Sequence, residues 1–430
     1  MRQLVLASVL LLSALLQAEE RVRVIVAVGL PEVSAAGTHS TAAIREGVIA
    51  SVAAKRIERW GKTPVFVAEV TPAELERLKA DPRVKAVEPD TGGGGALRQS
   101  IPLIGADVAR AQGYDGRGIV VGILDTGIDR EHPAFGGRII GEQCFCRNFD
   151  GTGCCPNGET EQSGQGSAQD EHGHGSHVAG IVASSGETAP AGVAPEAQLV
   201  VVRVMDRSNH FDSLTQIYRG LSWILESRPD VRVINMSLGT AARYTAAECS
   251  GAAAARGLDP IVAELRRRGV LITASSGNEG TINGLTLPAC MQDVLAVGAT
   301  YDTVGTFGSS LCSEQVVTAD QVACFTNSSE SLDLLAPGAR ITSVALGGGE
   351  TTFVGTSMAA PHVAGTIALI LQANPFLKAD QIEQILKLTG HPVIDSRNAL
   401  KFPRIDAAAA VAVAPPPPTG IPPRRRSIGH

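Results

Sequence analysis

Three stretches of the 430-residue chain carry polar groups that packing alone would not call for. In GILDTGID, Asp125 closes an apolar run, where a buried carboxylate is costly unless hydrogen bonds are donated to it. In DEHGHGSHVAG, His172, His174 and His177 crowd together, and His174 opens an apolar helical segment. In GTSMAAPHVAG, Ser357 follows Gly355 and Thr356 at the start of another helix, with Pro361 expected near the edge of the first turn, where it disrupts least. A serine hydroxyl is a poor nucleophile until a base takes its proton, and histidine titrates near the working pH. A carboxylate then fixes the tautomer and stabilises the imidazolium. Asp125, His174 and Ser357 supply those three roles, which is the chemistry of acyl transfer through a covalent serine intermediate. The competing chemistry is a zinc hydrolase built on His172, His174 and His177, of which His174 and His177 would share a helix face. It leaves Asp125 and Ser357 without a task.

These side chains need a scaffold that brings strand ends and helix starts together. From Gly118 onward, IVVGILD, QLVVVRVM, VRVINMSL, GVLITASS and VLAVGAT are short apolar runs without alternation, as buried parallel strands should be. Helical stretches such as LTQIYRGLSWILES and PIVAELRRRG lie between them. The alternation predicts an α/β fold, a doubly wound and mostly parallel sheet with its site at the carboxyl ends of the strands. Before it, RVRVIVAVG and PVFVAEV read as strands flanking a helix from about Ser40 to Trp60. TPAELERLKADP reads as a helix with Thr71 as N-cap, Pro72 at its first position and Glu74 as reciprocal capping partner. RVKAVEPD adds a strand, which makes a small α+β unit that ends near Asp90, and TGGGG reads as a linker.

The first 18 residues combine Arg2, an apolar run from Leu4 to Leu16 and the small residue Ala18, the pattern of a cleaved secretory signal. The expected organisation is a signal over 1–18, the α+β module over 19–90, a linker with a maturation cut over 91–100, a catalytic domain over 101–413 and a Pro-rich tail over 414–430. A formal net charge of -6 argues against nucleic acid or an anionic membrane as partner. With the signal and no later apolar stretch long enough to span a bilayer, the mature protein is expected to be soluble and exported, and a monomer. Eight cysteines suit an oxidising compartment and four disulfides. Cys144, Cys146, Cys154 and Cys155 crowd one Gly-rich insertion, where adjacent cysteines fit a zinc-thiolate site poorly. Proximity alone suggests pairing Cys249 with Cys290 and Cys312 with Cys324.

The stretches around Asp125, His174 and Ser357 resemble, in that order, the three signatures of subtilisin-like serine proteases. The resemblance runs from about Gly118 to Val413, where FPRIDAAAAV looks like the family's closing helix. More weakly, residues from about Arg21 to Asp90 resemble its inhibitory propeptide, a small ferredoxin-like α+β module. The resemblance implies a secreted endopeptidase of subtilisin-like fold, made as a self-processed zymogen and needing no cofactor for its chemistry. It makes Asn278, in SSGNEG, an oxyanion donor beside the N–H of Ser357. It also implies that an extended peptide adds to an edge strand at Ser237, Leu238 and Gly239, with Ala274, Ser275 and Gly277 lining the side-chain pocket. A catalytically silent relative that only binds peptides is the alternative. Several features depart from the family pattern. Ala134 follows His132 and Pro133 where many relatives carry an acidic calcium ligand, SSGETAPAG lacks an obvious asparagine ligand, and the cysteine-bearing insertion is long. A structural calcium elsewhere in the fold is left open, with no site assigned. His174 is the expected base and His177 is expected to pack or hydrogen-bond beneath it, while His172 and Asp170 remain loop residues.

Overall fold

The computed structural model describes residues 21–29, 41–59, 65–89 and 97–417. The expected signal, the Gly run at 91–95 and the tail beyond residue 417 lie outside the described residues. The chain divides into two compact units, residues 1–93 with 303–308 and 313–318, and residues 94–302 with 309–312 and 319–430.

In the first unit, β1 (Val22–Val28), a helix (Thr41–Ile49), β2 (Lys55–Arg59), β3 (Val65–Val70), a second helix (Pro72–Ala80) and β4 (Val84–Pro89) follow one another. The strands pair antiparallel in the order β2–β3–β1–β4. Val24, Val26, Phe66, Ala68 and Leu78 form the core beneath. The second helix has the box read from sequence: the Thr71 hydroxyl accepts from Glu74 N–H, and the Glu74 carboxylate accepts from Thr71 N–H at 2.7 Å. The single helix expected from Ser40 to Trp60 is corrected. It stops at Ile49, and Lys55–Arg59 is a strand paired with β3. Ile57 packs inward while its charged neighbours face out, so edge pairing overrides a composition that suits a helix.

The second unit contains β5 (Val120–Asp125), β6 (Ile139–Phe145), β7 (Glu161–Ser163), β8 (Gln198–Arg203), β9 (Val231–Met236), β10 (Arg243–Tyr244), β11 (Leu271–Ser275), β12 (Leu285–Thr286) and β13 (Leu295–Thr300). The hairpin of β14 (Gly305–Gly308) and β15 (Ser313–Val317) belongs to the first unit, and the second continues with β16 (Leu334–Pro337), β17 (Ile341–Val344), β18 (Glu350–Phe353), β19 (His391–Ile394) and β20 (Lys401–Arg404). Ten strands make one sheet in the order β19–β20–β16–β13–β11–β9–β5–β8–β6–β7. All its pairs are parallel except those of the edge strands β7 and β19. The chain leaves β5 toward β6 on one side and leaves β9 toward β11 on the other, so a crevice opens at the carboxyl ends of these neighbours. Asp125 ends β5, and Ser237 follows the end of β9.

That order corrects the expectation of an edge strand at VINMSLG. β9 is bonded to β5 on one side and β11 on the other, and only Ser237–Gly239 runs past the sheet. The helix Thr356–Ala373 packs on β9, β11, β13 and β16, and its almost complete burial explains why its sequence is apolar on every face. Pro361 lies inside this helix, a full turn past Ser357, rather than at the edge of the first turn. The last residues of the expected linker are also not linker, since Leu97–Leu103 is helical and Ser100 Oγ is 2.9 Å from His362 Nε2. Disulfides join Cys144 to Cys155, Cys146 to Cys154, Cys249 to Cys290 and Cys312 to Cys324.

Candidate active site

Asp125 is fully buried, and its Oδ1 accepts from Thr126 N–H at 2.8 Å and faces His174 Nδ1 at 2.7 Å. A carboxylate partner makes Nδ1 the donor, which leaves the lone pair on Nε2. His174 opens the helix His174–Ala183. Its approach to the Asp125 turn depends on Gly175, where a Cβ would come within 2.1 Å of the Gly127 carbonyl oxygen. Two backbones touch there, so both motifs need glycine.

Asp170, read as a loop residue, ties the two motifs together. Its Oδ1 accepts from Thr126 Oγ1, His172 N–H and Gly173 N–H at 2.9 Å each, and its Oδ2 accepts from Ser176 N–H and Ser176 Oγ. The N-cap position, Gly173, has no side chain, and this carboxylate takes over the capping role. Burial disfavours the His174 imidazolium, but the charge and hydrogen bond of Asp125, with Asp170 adding to them, raise its pKa above the ordinary 6.5.

The other two histidines differ from His174. His177 is buried beneath it, with Nε2 held by the carbonyls of Ile341 and Thr351 at 3.0 and 3.1 Å, and burial pushes its pKa down to about 3. Its Nε2 is thus committed as a donor, and the three imidazoles do not converge as zinc ligands. His172 lies with its ring 6.3 Å from that of His174, and burial, followed by the charge of His174, lowers its pKa.

Ser357 sits in the first turn of the Thr356–Ala373 helix, and its Oγ donates to the Ser237 carbonyl at 3.3 Å. Among the described residues no hydrogen bond joins Ser357 to His174 in this resting form. Phe353, shortly before the helix, stacks on His177 at 4.5 Å and faces His174 at 6.5 Å, which sets the approach to Ser357 against the imidazoles. Asn278 Oδ1 accepts from Thr356 N–H at 2.8 Å and Thr356 Oγ1 at 2.9 Å. With its oxygen committed, its Nδ2 amide turns toward Gly355 and the start of the Ser357 helix.

The pocket walls need revision. Ala274, expected on one wall, is fully buried within the core, because β11 is flanked by β9 and β13. Ser275 bonds the Leu238 carbonyl, and Leu238 itself is largely buried. Thr286, which the sequence did not single out, fills the space between Gly239 and Gly277. A Cβ on Gly239 would lie 2.5 Å from its Oγ1, and one on Gly277 would lie 2.8 Å from its Cγ2.

The surroundings of Ala134 and of the loop after Ala183 do not suit calcium. Ala134 offers no carboxylate, the Ala183 carbonyl accepts from Arg138, and the Gly192 carbonyl accepts from Arg110 at 2.8 Å. Guanidinium groups already supply the positive charge there, so a calcium ion would meet repulsion as well as missing ligands.

Asp170 stands three residues before the Gly173 N-cap inside DEHGHGSHVAG, and an acidic residue so close to a helix start without a capping side chain is the local signal that marks it. Thr286 had no local signal, because two helices and the strands β10 and β11 lie between it and Gly239 in the chain.

Residues 116–406 match the subtilase family. Similar curated proteins include a thermostable alkaline protease of Halalkalibacterium halodurans, 32% identical over 338 residues that cover 77% of this chain and 79% of that protein. Subtilisin DY of Bacillus licheniformis is 33% identical over 69% of this chain and 92% of its own length. Subtilisin E of Bacillus subtilis is 31% identical over 81% of both. A solved structure of a cold adapted subtilisin-like serine proteinase superposes with a TM-score of 0.51 at 29% identity, covering 67% of this chain and 89% of that one.

Proposed function

The chain belongs to the subtilase family and is a serine endopeptidase, and from that premise we propose that Asp125, His174 and Ser357 carry the reaction. Ser357 Oγ attacks the peptide carbonyl while His174 Nε2 takes its proton. The imidazolium then protonates the leaving amine, and a water activated by the same nitrogen releases the acyl group. Asp125 holds the ring through Nδ1. Asn278 Nδ2 and the Ser357 N–H hold the oxyanion. The observation that carries this reading is the 2.7 Å bond between a buried strand-end carboxylate and a helix-start imidazole, beside a serine in the first turn of a buried helix. Contacts between a nucleophile and its base often tighten only when substrate is bound.

The reading is tested by casein hydrolysis that a fluorophosphonate abolishes while labelling Ser357. The general base must be neutral, and a raised His174 pKa means that activity falls as the pH drops through a value above 6.5. An acid limb of kcat/KM clearly below 6.5 would contradict the assigned base.

Residues 1–18 act as a secretory signal and 19–90 as an inhibitory, folding-assisting propeptide, removed by self-cleavage. Four disulfides support an oxidising destination. The cut falls after about Val87 and before Leu97, because Leu97–Leu103 is a helix tied to the catalytic unit by Ser100.

Thr286 narrows the choice of substrate. Its side chain floors the slot between Gly239 and Gly277, so the residue before the cleaved bond should be small, such as alanine or serine. Wild type is expected to favour Ala over Phe there in kcat/KM. Thr286→Gly should shift that ratio toward Phe by roughly 10- to 100-fold, the scale of one or two methylenes in a pocket. An unchanged ratio in a peptide series would place the floor elsewhere.

A further inference from the structure

Pro361 has no N–H, so the Ser357 carbonyl loses its usual donor one turn further along the helix. The structure supplies another in its place. Ser237 Oγ donates to the Ser357 carbonyl at 2.7 Å, the shortest link of a buried series. Asn235 Nδ2 donates to Ser237 Oγ at 2.9 Å, and Thr273 Oγ1 donates to Asn235 Oδ1 at 3.0 Å. Thr273 and Asn235 are fully buried and Ser237 is 2% exposed. In return, Ser357 Oγ donates to the Ser237 carbonyl. The two serines are therefore bonded in both directions, one at the end of β9 and the other in the first helical turn.

We propose that Ser237 is a positioning residue for the nucleophile, its hydroxyl replacing the helical donor that Pro361 lacks. The inference rests on Ser357 being the nucleophile, and it adds a side-chain support role to the backbone peptide contact expected at Ser237. The series starts on β11, crosses β9 and ends on the backbone of Ser357, so the sheet itself fixes where that residue's Oγ and N–H stand. A hydroxyl fits the task because it accepts from Asn235 while donating to the carbonyl. Without it the carbonyl is left short of a donor in a buried turn, and the turn must shift to recover one.

The experiment measures kcat per active site titrated with a fluorophosphonate, so a misfolded fraction lowers the number of sites and not the rate per site. Ser237→Ala is expected to lower kcat about 10- to 100-fold with KM within a factor of about two, the scale of a misplacement near 1 Å. Ser237→Thr keeps the hydroxyl and should keep most of the rate. Pro361→Ala restores the helical N–H, so the Ser237→Ala/Pro361→Ala chain should regain at least about half of the logarithmic loss. A loss in Ser237→Ala with no recovery in the double variant overturns the proposal, as does an unchanged kcat in Ser237→Ala. If wild type itself takes no label at Ser357, the nucleophile assignment has failed instead.

Discussion

Ser357→Ala should lower kcat on the order of 10^6-fold while peptide binding and the folded state survive, the magnitude being one known for subtilisin and carried over to this relative. Binding is expected to survive because removing the hydroxyl only releases the Ser237 carbonyl and leaves the backbone of Ser237–Gly239 and the Thr286 side chain in place. The fold survives because Ser357 Oγ makes one long bond of 3.3 Å, to Ser237, and lies in a partly exposed position at the helix start. Thermal melting should therefore move by only a few degrees. His174→Ala should cost about as much, and the double variant little more, because serine and imidazole act as one unit. Residual hydrolysis comes from the Asn278 and Ser357 N–H donors, which both substitutions leave in place. The same chain tests processing. Purified alone, Ser357→Ala should keep residues 19–90 attached, and a variant that matured unaided would refute self-cleavage.

The candidate residues Asp125, His174 and Ser357 stand out in the sequence because Asp125 closes an apolar run and the other two open one, where a polar group has no packing purpose. The parallel strands were legible for the related reason that β5, β8, β9, β11 and β13 are buried on both faces and read as unbroken apolar stretches. Position within the sheet was not legible. β9 was expected at an edge, yet a central strand and a covered edge strand have the same composition, and only the long-range order separates them. Lys55–Arg59 was lost for the opposite reason, since its one inward residue, Ile57, leaves too little alternation to outweigh helix-forming neighbours. Within the site, the hidden links were those that cross the fold: the bond of Asp170 to Thr126 in the Asp125 turn, Thr356 on Asn278, and Thr286 between two glycines. Their effect comes from contacts that no spacing rule in one segment encodes.

Asn278→Leu should lower kcat by about 100- to 1,000-fold with KM changed only a few-fold, again a scale that comes from subtilisin. The argument rests on how the amide is held. Thr356 gives both its N–H and its hydroxyl to Asn278 Oδ1, so the amide cannot flip without losing two bonds, and Nδ2 is aimed before substrate arrives. Thr356 also precedes Ser357, which couples the side-chain donor to the backbone donor through one residue. A donor already in place costs no reorganisation when the carbonyl oxygen becomes an oxyanion, and its strength then depends on charge that the ground state lacks. Leucine keeps the volume and removes the donor. Asn278→Asp keeps the shape but presents a carboxylate to a developing negative charge, so it should be worse than leucine. An equal fall in kcat and kcat/KM would assign the bond to the transition state, whereas a raised KM with kcat intact would make Asn278 a ground-state contact and move the oxyanion site elsewhere.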